Sequence, residues 1–197
     1  MTAQKGDVFK YKEKEYSIIA ITNPLNFNPK EYGIVPSALH TGCWKGYWCV
    51  YNINDKGIFL EDLYINSKDD FYPSINNVEA VINNYNLELE KYIGHHLYKG
   101  LNIKMMFSGK ILVGDEFIRE YYIHMGFQRG WAYKVLIELV FEQGQLIKIN
   151  DQSEIASEIR KDIKSKNKSY RKTIDDIAKF VDDSFSLDYR VKAWWLK

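Results

Sequence analysis

Residues 40–49 read His-Thr-Gly-Cys-Trp-Lys-Gly-Tyr-Trp-Cys and hold both cysteines of the chain, two of its five tryptophans and one of its four histidines. A cysteine becomes a nucleophile when a neighbouring base or positive charge lowers the pKa of its thiol. Cys43 has His40 and the more distant His124 as candidate bases, and Lys45 as a source of positive charge. Free cysteine is, however, usually buried as a small hydrophobic side chain, and here tryptophans flank it. The stretch therefore favours packing over cysteine catalysis.

His40, Cys43, Cys49 and His124 are also residue types that bind metal ions. Zinc motifs usually supply cysteines as a close pair, whereas five residues separate Cys43 from Cys49. We therefore predict no metal and no other cofactor.

Aromatic side chains around Lys45 suggest a binding groove instead. A segment of about twenty residues with several Pro and Gly separates the strand ending at Ile21 from the one starting near Tyr47, and segments of that length are often functional. Tyr and Trp give large contact areas at low entropic cost. The candidate binding residues in or beside this loop are Tyr32, His40, Cys43, Trp44, Lys45 and Tyr47. The alternative is that the rings only clamp the loop onto the sheet.

Composition and charge limit the classes of protein. At 197 residues with 46% hydrophobic and 15% aromatic side chains, the chain is long and apolar enough for a packed core. A net charge of +1 gives no general attraction to nucleic acid or membranes. The N-terminus lacks the apolar core of a signal peptide, and no run approaches the ~18 apolar residues of a membrane span. We expect a soluble, cytoplasmic protein with reduced thiols.

Alternating apolar residues separated by turn residues predict four β-hairpins in the first 150 residues. They pair Val8 to Tyr11 with Tyr16 to Ile21, Tyr47 to Ile53 with Ile58 to Ile65, Ile103 to Phe107 with Ile111 to Val113, and Val135 to Phe141 with Leu146 to Ile149. Successive hairpins imply an antiparallel sheet.

Helical periodicity occurs in three segments. Apolar residues from Val78 to Ile93 fall on one face and predict a helix that covers the sheet. After Asn150, the series that begin at Ile155 and Ile174 predict two more helices, with Ser153 and Thr173 as N-caps.

We therefore predict an α+β fold: a curved antiparallel sheet or partial β-barrel, one covering helix and a C-terminal helical pair. Residues 1–150 form the β-rich domain and residues 151–197 a helical extension. The basic segment 160–172 is interpreted as a solvated surface, so nucleic acid is an unfavoured partner. Trp194 and Trp195 dock back on the protein or, as an open alternative, form a homodimer contact.

Two motifs, Thr41-x-Cys43-Trp44-Lys45-Gly46-Tyr47 and Tyr122-x-His124-Met125-Gly126-Phe127, resemble those of a family of uncharacterised bacterial proteins. The resemblance covers roughly residues 8–148. It implies a bacterial origin and gives no indication of an enzymatic activity. Lys45 stands where the family pattern has Arg, and a lysine cannot make the planar bidentate grip of an arginine on an anion. Phe127 stands where the pattern has Tyr.

If Tyr47 to Ile53 and Glu120 to Met125 are strands, Trp44 with Lys45 and His124 with Arg129 lie near strand ends and could converge. The leading hypothesis is a non-enzymatic binding or regulatory protein that uses the aromatic loop to hold a small molecule or to bind a protein partner, with neutralisation of that partner as one such role. The alternative is a small-molecule enzyme or metal-dependent protein that uses Cys43, His40 and His124.

Overall fold

The computed structural model describes residues 2–38, 40–54, 56–83, 96–165 and 174–196. In this part of the chain, nine strands form one sheet. They are β1 (Val8–Tyr11), β2 (Lys14–Ile21), β3 (Tyr47–Asn54), β4 (Gly57–Ile65), β5 (Val81–Ile82), β6 (His96–Lys104), β7 (Gly109–Phe117), β8 (Tyr133–Glu142) and β9 (Gln145–Asp151).

The strand order is β5-β6-β4-β3-β1-β2-β7-β8-β9, and the sheet is mixed. All neighbouring pairs are antiparallel except β1 and β3, which are parallel. The predicted α+β class with a curved sheet is confirmed, but a purely antiparallel sheet is wrong. The reason is that β7 occupies the outer edge of β2, so the long loop after β2 returns the chain to the edge of β1.

The sheet curves strongly without closing. The rings of Phe9 on β1 and Phe141 on β8 lie 6.1 Å apart, although β2 and β7 separate these strands. At one end of the sheet, the N–H of Ile58 on β4 donates to the carbonyl of Gly144 in the β8–β9 turn at 3.0 Å. A β-bulge between Ile18 and Ala20 adds to the bending.

Each face of the sheet carries its own core. The larger core holds the side chains of Phe9, Ile18, Tyr51, Leu60, Leu63, Tyr98, Ile111, Val113, Leu139 and Phe141, among others. The second core, on the opposite face, contains Leu112 and Leu136 and is completed by Ala156 and Ala193 from the C-terminal segment. Strand periodicity produces this division, because Leu112 lies between Ile111 and Val113 and points the other way.

Three of the four predicted hairpins are confirmed, and the one around Ser108 and Gly109 is wrong. β6 pairs with β4 and β5, whereas β7 pairs with β2 and β8. Residues 105–108 instead cross the end of the sheet. There Met105 donates to the carbonyl of Ile58, and the carbonyl of Phe107 accepts from the β8–β9 turn.

The predicted covering helix from Val78 to Ile93 is wrong where the structure describes it. Val81 and Ile82 form the edge strand β5, paired with Leu97 and His96 of β6. Both side chains are exposed, at 53% and 62%. Residues 84–93 of that prediction lie outside the described residues.

The C-terminal helices are confirmed as α1 (Ser153–Ser165) and α2 (Ile174–Phe185), and an unpredicted short helix, α3 (Tyr189–Lys192), follows them. Ser153 is not the N-cap but the first helical residue, and its hydroxyl accepts the N–H of Leu136 on β8 at 3.0 Å. Thr173 and most of the basic segment 160–172 lie outside the described residues. Arg160 is described, and its guanidinium donates to the carbonyls of Trp131 and Tyr133.

Helix α3 is fixed to the sheet by a buried carboxylate. Glu138 on β8 accepts hydrogen bonds from the hydroxyl of Tyr189, from Asn150 at 2.7 Å and from Lys110 at 3.2 Å. Burial alone would raise the pKa of Glu138, but these donors hold it below its usual value. This network ties the C-terminal segment to the second core.

The C-terminal tryptophans differ in exposure. Trp195 packs against the second core and donates its indole N–H to the carbonyl of Lys192 at 3.2 Å, whereas Trp194 is 74% exposed. A homodimer contact through this segment stays a prediction. None of the helices in the described residues is long and apolar enough to span a membrane.

Candidate binding cleft

Residues 40–46 form two consecutive tight turns just before β3. The N–H of Cys43 donates to the carbonyl of His40 at 3.2 Å, and the N–H of Gly46 donates to the carbonyl of Cys43 at 3.1 Å. Gly46 has a φ of +75°, and a Cβ there would lie 2.7 Å from the backbone nitrogen of Ser37. The second turn therefore requires glycine.

Both cysteines are buried free thiols. Burial raises the pKa of Cys43, an effect that Lys45 only partly offsets, and its Sγ donates to the carbonyl of Tyr47 at 3.5 Å. Burial likewise raises the pKa of Cys49 well above its usual value. An activated nucleophile needs the opposite shift, so the geometry matches packing rather than thiolate chemistry.

Lys45 forms a bidentate ion pair with Asp7. The ammonium nitrogen lies 2.7 and 2.8 Å from the two carboxylate oxygens, and Asp7 Oδ1 also accepts the N–H of Cys49 at 2.9 Å. Burial alone would lower the pKa of Lys45, but the attraction of Asp7 outweighs it and raises that pKa. Lys45 is therefore a fixed positive charge at neutral pH.

Three aromatic rings continue from this ion pair into the long loop. The ammonium of Lys45 lies 4.6 Å from the centre of the Tyr47 ring, a cation–π contact. Phe27 meets Tyr47 edge-on at 6.2 Å and stacks on Tyr32 at 5.9 Å. The rings thus clamp part of the loop onto the sheet.

A cleft of about 500 Å³ opens between the loop, the start of β3 and the segment after α2. Its volume falls within the range of about 300–1,000 Å³ that is typical of small-molecule sites. The polar lining residues are Asp7, Lys45, Glu31, Asn26 and Asn28, and the apolar and aromatic ones are Ile21, Pro24, Leu25, Phe27, Tyr47, Tyr51 and Leu187.

The second motif is not a strand. Arg119–Tyr121 form a 3-10 helix, and the chain then runs irregularly, held by Gln128, whose side chain bonds both backbone groups of Ile123 at 2.9 Å. His124 is exposed and meets the ring of Tyr122 edge-on at 4.7 Å. The predicted strand from Glu120 to Met125 is therefore wrong.

The N-terminal segment lies between the two motifs. Gln4 donates its backbone N–H to the carbonyl of Gly126 and its side-chain N–H to the carbonyl of Thr41, both at 2.7 Å. Its side-chain oxygen accepts the N–H of Trp44 at 3.2 Å. Trp44 in turn stacks on Phe185 of α2 at 4.9 Å.

Of the predicted binding residues, only Lys45 and Tyr47 are among the described residues that line the cleft. Tyr32 supports the lining ring of Phe27 from behind. Four others lie elsewhere: His40 accepts the N–H of Gly42 at 3.0 Å in the turn, Cys43 is buried, Trp44 packs on α2, and His124 is exposed on the second motif.

Arg129 also lies away from the cleft. Its guanidinium sits over the ring of Phe180 at 5.5 Å and donates to the hydroxyl of Ser184 at 3.5 Å. Burial lowers the pKa of Arg129, which nearby Asp183 partly opposes. The residue therefore binds the second motif to α2.

Sequence reasoning missed Asp7, Glu31 and the two asparagines of the cleft. Asp7 lies 38 residues before Lys45, and the parallel pairing of β1 and β3 that unites them was not predicted. The sequence Asn26-Phe27-Asn28 could have indicated the two asparagines, because it lies in the long loop that was predicted to bind a ligand.

No group of three or more His, Cys, Asp or Glu side chains with metal-site geometry occurs among the described residues. Fold and site together define an α+β protein with an open, curved mixed sheet and a cleft beneath a long loop. No known protein family, curated protein or solved structure matches the chain. The resemblance to a bacterial family thus rests on the two motifs alone.

Proposed function

We propose that the protein is a non-enzymatic binding protein that holds a small polar molecule in the cleft beneath its long loop. The observation that carries this proposal is the Lys45–Asp7 ion pair at the wall of an aromatic-lined cleft of about 500 Å³. Such a site combines apolar contact area with a few fixed polar groups, as ligand sites usually do.

The chemical state of the candidate catalytic groups favours binding over catalysis. Cys43 has a raised thiol pKa, and Lys45 has a raised ammonium pKa. Neither group is prepared to act as a nucleophile or a base near neutral pH. The alternative reading, an enzyme using Cys43, His40 and His124, gains no support from these shifts.

The lining indicates the chemistry of the ligand. Asp7 and Glu31 contribute two negative charges and Lys45 one positive charge, which leaves a net charge of −1. We therefore expect a neutral or singly positive ligand, with a flat face against Phe27 and Tyr47. The amides of Asn26 and Asn28 can donate and accept hydrogen bonds at the mouth.

A thermal-shift screen tests the proposal. A library of small polar metabolites is screened against the wild type, Glu31→Gln and Glu142→Gln. Glu142 is an exposed acid on β8 outside the cleft, so its variant is the matched control. We expect at least one compound to raise the melting temperature of the wild type and the control but to act more weakly on Glu31→Gln.

Compounds that stabilise all three proteins equally would contradict the proposed site. A screen in which no compound stabilises the wild type would contradict small-molecule binding altogether.

A second candidate is a protein partner that covers Trp44. This side chain remains 54% exposed while one face stacks on Phe185. Partly exposed tryptophans are frequent anchors of protein interfaces. A bacterial origin and a cytoplasmic location, inferred from the motifs and the sequence, accompany both proposals.

A further inference from the structure

A second groove lies on the other side of the molecule and contains three of the chain's five tryptophans. It has a volume of about 400 Å³ and runs between α1 and the C-terminal segment. The described residues that line it are Trp131, Ile159, Asp162, Ile163, Trp194 and Trp195. None of them lines the loop cleft, so the two sites are independent.

Two of the three tryptophans make contacts with the rest of the protein. The carbonyl of Trp131 accepts from Arg160 of α1 at 2.8 Å, and its ring meets Tyr121 edge-on at 5.3 Å. The indole N–H of Trp195 is bonded to the carbonyl of Lys192, so the polar group of that ring is already satisfied. Such rings can offer a ligand their π faces.

Trp194 is the most exposed of the three tryptophans in the groove. With 74% of the side chain exposed, it gains little from packing in the free protein. Ile163 of α1, at 42% exposed, is similarly uncovered. Apolar surface of this size around an open groove is typical of a ligand site.

The charge of the lining selects the ligand. Aromatic faces carry negative potential and attract cations, most strongly for tryptophan. Asp162 is the one charged side chain among the described lining residues, and it is acidic. Ile159 and Ile163 add methyl groups that suit an alkylated ligand rather than a strongly hydrated ammonium.

We propose that this groove binds a small organic cation with a quaternary or highly alkylated ammonium group. The tryptophan rings and the acidic Asp162, which all line the groove, supply the attraction for a positive charge, and the two isoleucines supply apolar surface for its alkyl substituents. A groove of about 400 Å³ lies in the range of small-molecule sites, which favours a free ligand over a macromolecule.

Choline tests this proposal against 3,3-dimethyl-1-butanol, a neutral molecule of the same shape. Each is titrated into the wild type at constant ionic strength and followed by calorimetry and tryptophan fluorescence. We expect saturable binding of choline that is at least about tenfold tighter than that of the neutral analogue, because the analogue lacks the charge.

Variants localise the binding. Trp194→Ala removes an exposed ring and should weaken choline binding at least about tenfold, while Asp162→Asn weakens it by a smaller factor. Phe71→Ala is the control, because Phe71 is 55% exposed and does not line the groove. Its choline affinity should equal that of the wild type.

Three results would overturn the proposal. They are equal affinity for the neutral analogue, unchanged affinity in Trp194→Ala, and no saturable response of the wild type to choline. In the last case, binding to phosphatidylcholine vesicles would assign the groove to a lipid surface instead.

Discussion

The ammonium of Lys45 lies within hydrogen-bonding distance of both carboxylate oxygens of Asp7, and this pair joins the turn before β3 to the start of β1. Asp7 is mostly buried, with 14% of its side chain exposed, whereas Lys45 keeps 39%. The pair therefore fixes one wall of the cleft while solvent still reaches the lysine.

Asp7→Asn should destabilise the protein by about 1–3 kcal/mol, because it removes the negative charge that pairs with Lys45. The effect is limited because water partly screens the charge of the partly exposed lysine. Urea denaturation measures the change. In a double-mutant cycle, adding Lys45→Met to Asp7→Asn should recover part of the lost stability. Strictly additive effects would show that the two side chains are not coupled.

Cys43 and Cys49 should react slowly with iodoacetamide in the folded protein at pH 7. Both thiols are buried with raised pKa values, and the thiolate fraction falls about tenfold for each unit by which the pKa rises. Mass spectrometry of the labelled protein, with and without urea, gives the two rates. Labelling of folded Cys43 as fast as that of the unfolded chain would revive the enzyme alternative.

Much of the fold was predictable because its signals are local. The hairpins β1–β2, β3–β4 and β8–β9 were predicted from alternating apolar residues and the turn residues between them. The predicted helix beginning at Val78 failed because Val81 and Ile82 pair with Leu97 and His96 of the next strand, β6, and such pairing overrides helical spacing.

The candidate site was only half predictable for a related reason. Lys45 and Tyr47 lie in a segment whose composition is unusual, so the sequence alone drew attention to them. Asp7 reaches the same cleft through the parallel pairing of β1 with β3, which leaves no local signal. His124 was misplaced because the chain around it is held by the side chain of Gln128 at Ile123 and by Gln4 at Gly126 instead of by a neighbouring strand.

Lys192 should make the stability of the protein depend on pH. Its side chain is 2% exposed and donates to the carbonyls of Phe127 and Ser184. Burial, with help from Arg129, lowers its pKa from 10.5 to about 7. Above pH 7 the unfolded chain still binds this proton while the folded protein releases it, so stability rises with pH until the unfolded lysine also titrates near 10.5.

Comparing the wild type with Lys192→Met isolates this effect. Between pH 7 and pH 9, the free energy of unfolding of the wild type should rise by about 2 kcal/mol relative to the variant. Urea denaturation at several pH values measures the difference. Tyrosines and cysteines titrate in both proteins alike, so their contribution to the pH dependence cancels in the comparison. Parallel pH profiles would contradict a lowered pKa at Lys192.

Trp44→Ala should cost about 1 kcal/mol, since the ring is half exposed and loses mainly its stack on Phe185. Trp48→Ala should cost about 3–5 kcal/mol, because that ring is 8% exposed and stacks on Tyr64 at 3.9 Å. Thermal and urea unfolding give both values. Equal losses of stability in the two variants would mean that Trp44 contributes as much to the folded structure as the buried Trp48.

The most direct test of the binding proposal is amide NMR of ¹⁵N-labelled protein titrated with the compound that most stabilises it in the thermal-shift screen. We predict that the largest shift changes fall on residues 24–31 and 45–51, which line the cleft beneath the long loop. Changes confined to other surfaces, such as the tryptophan groove or the exposed face of Trp44, would contradict a ligand site in that cleft.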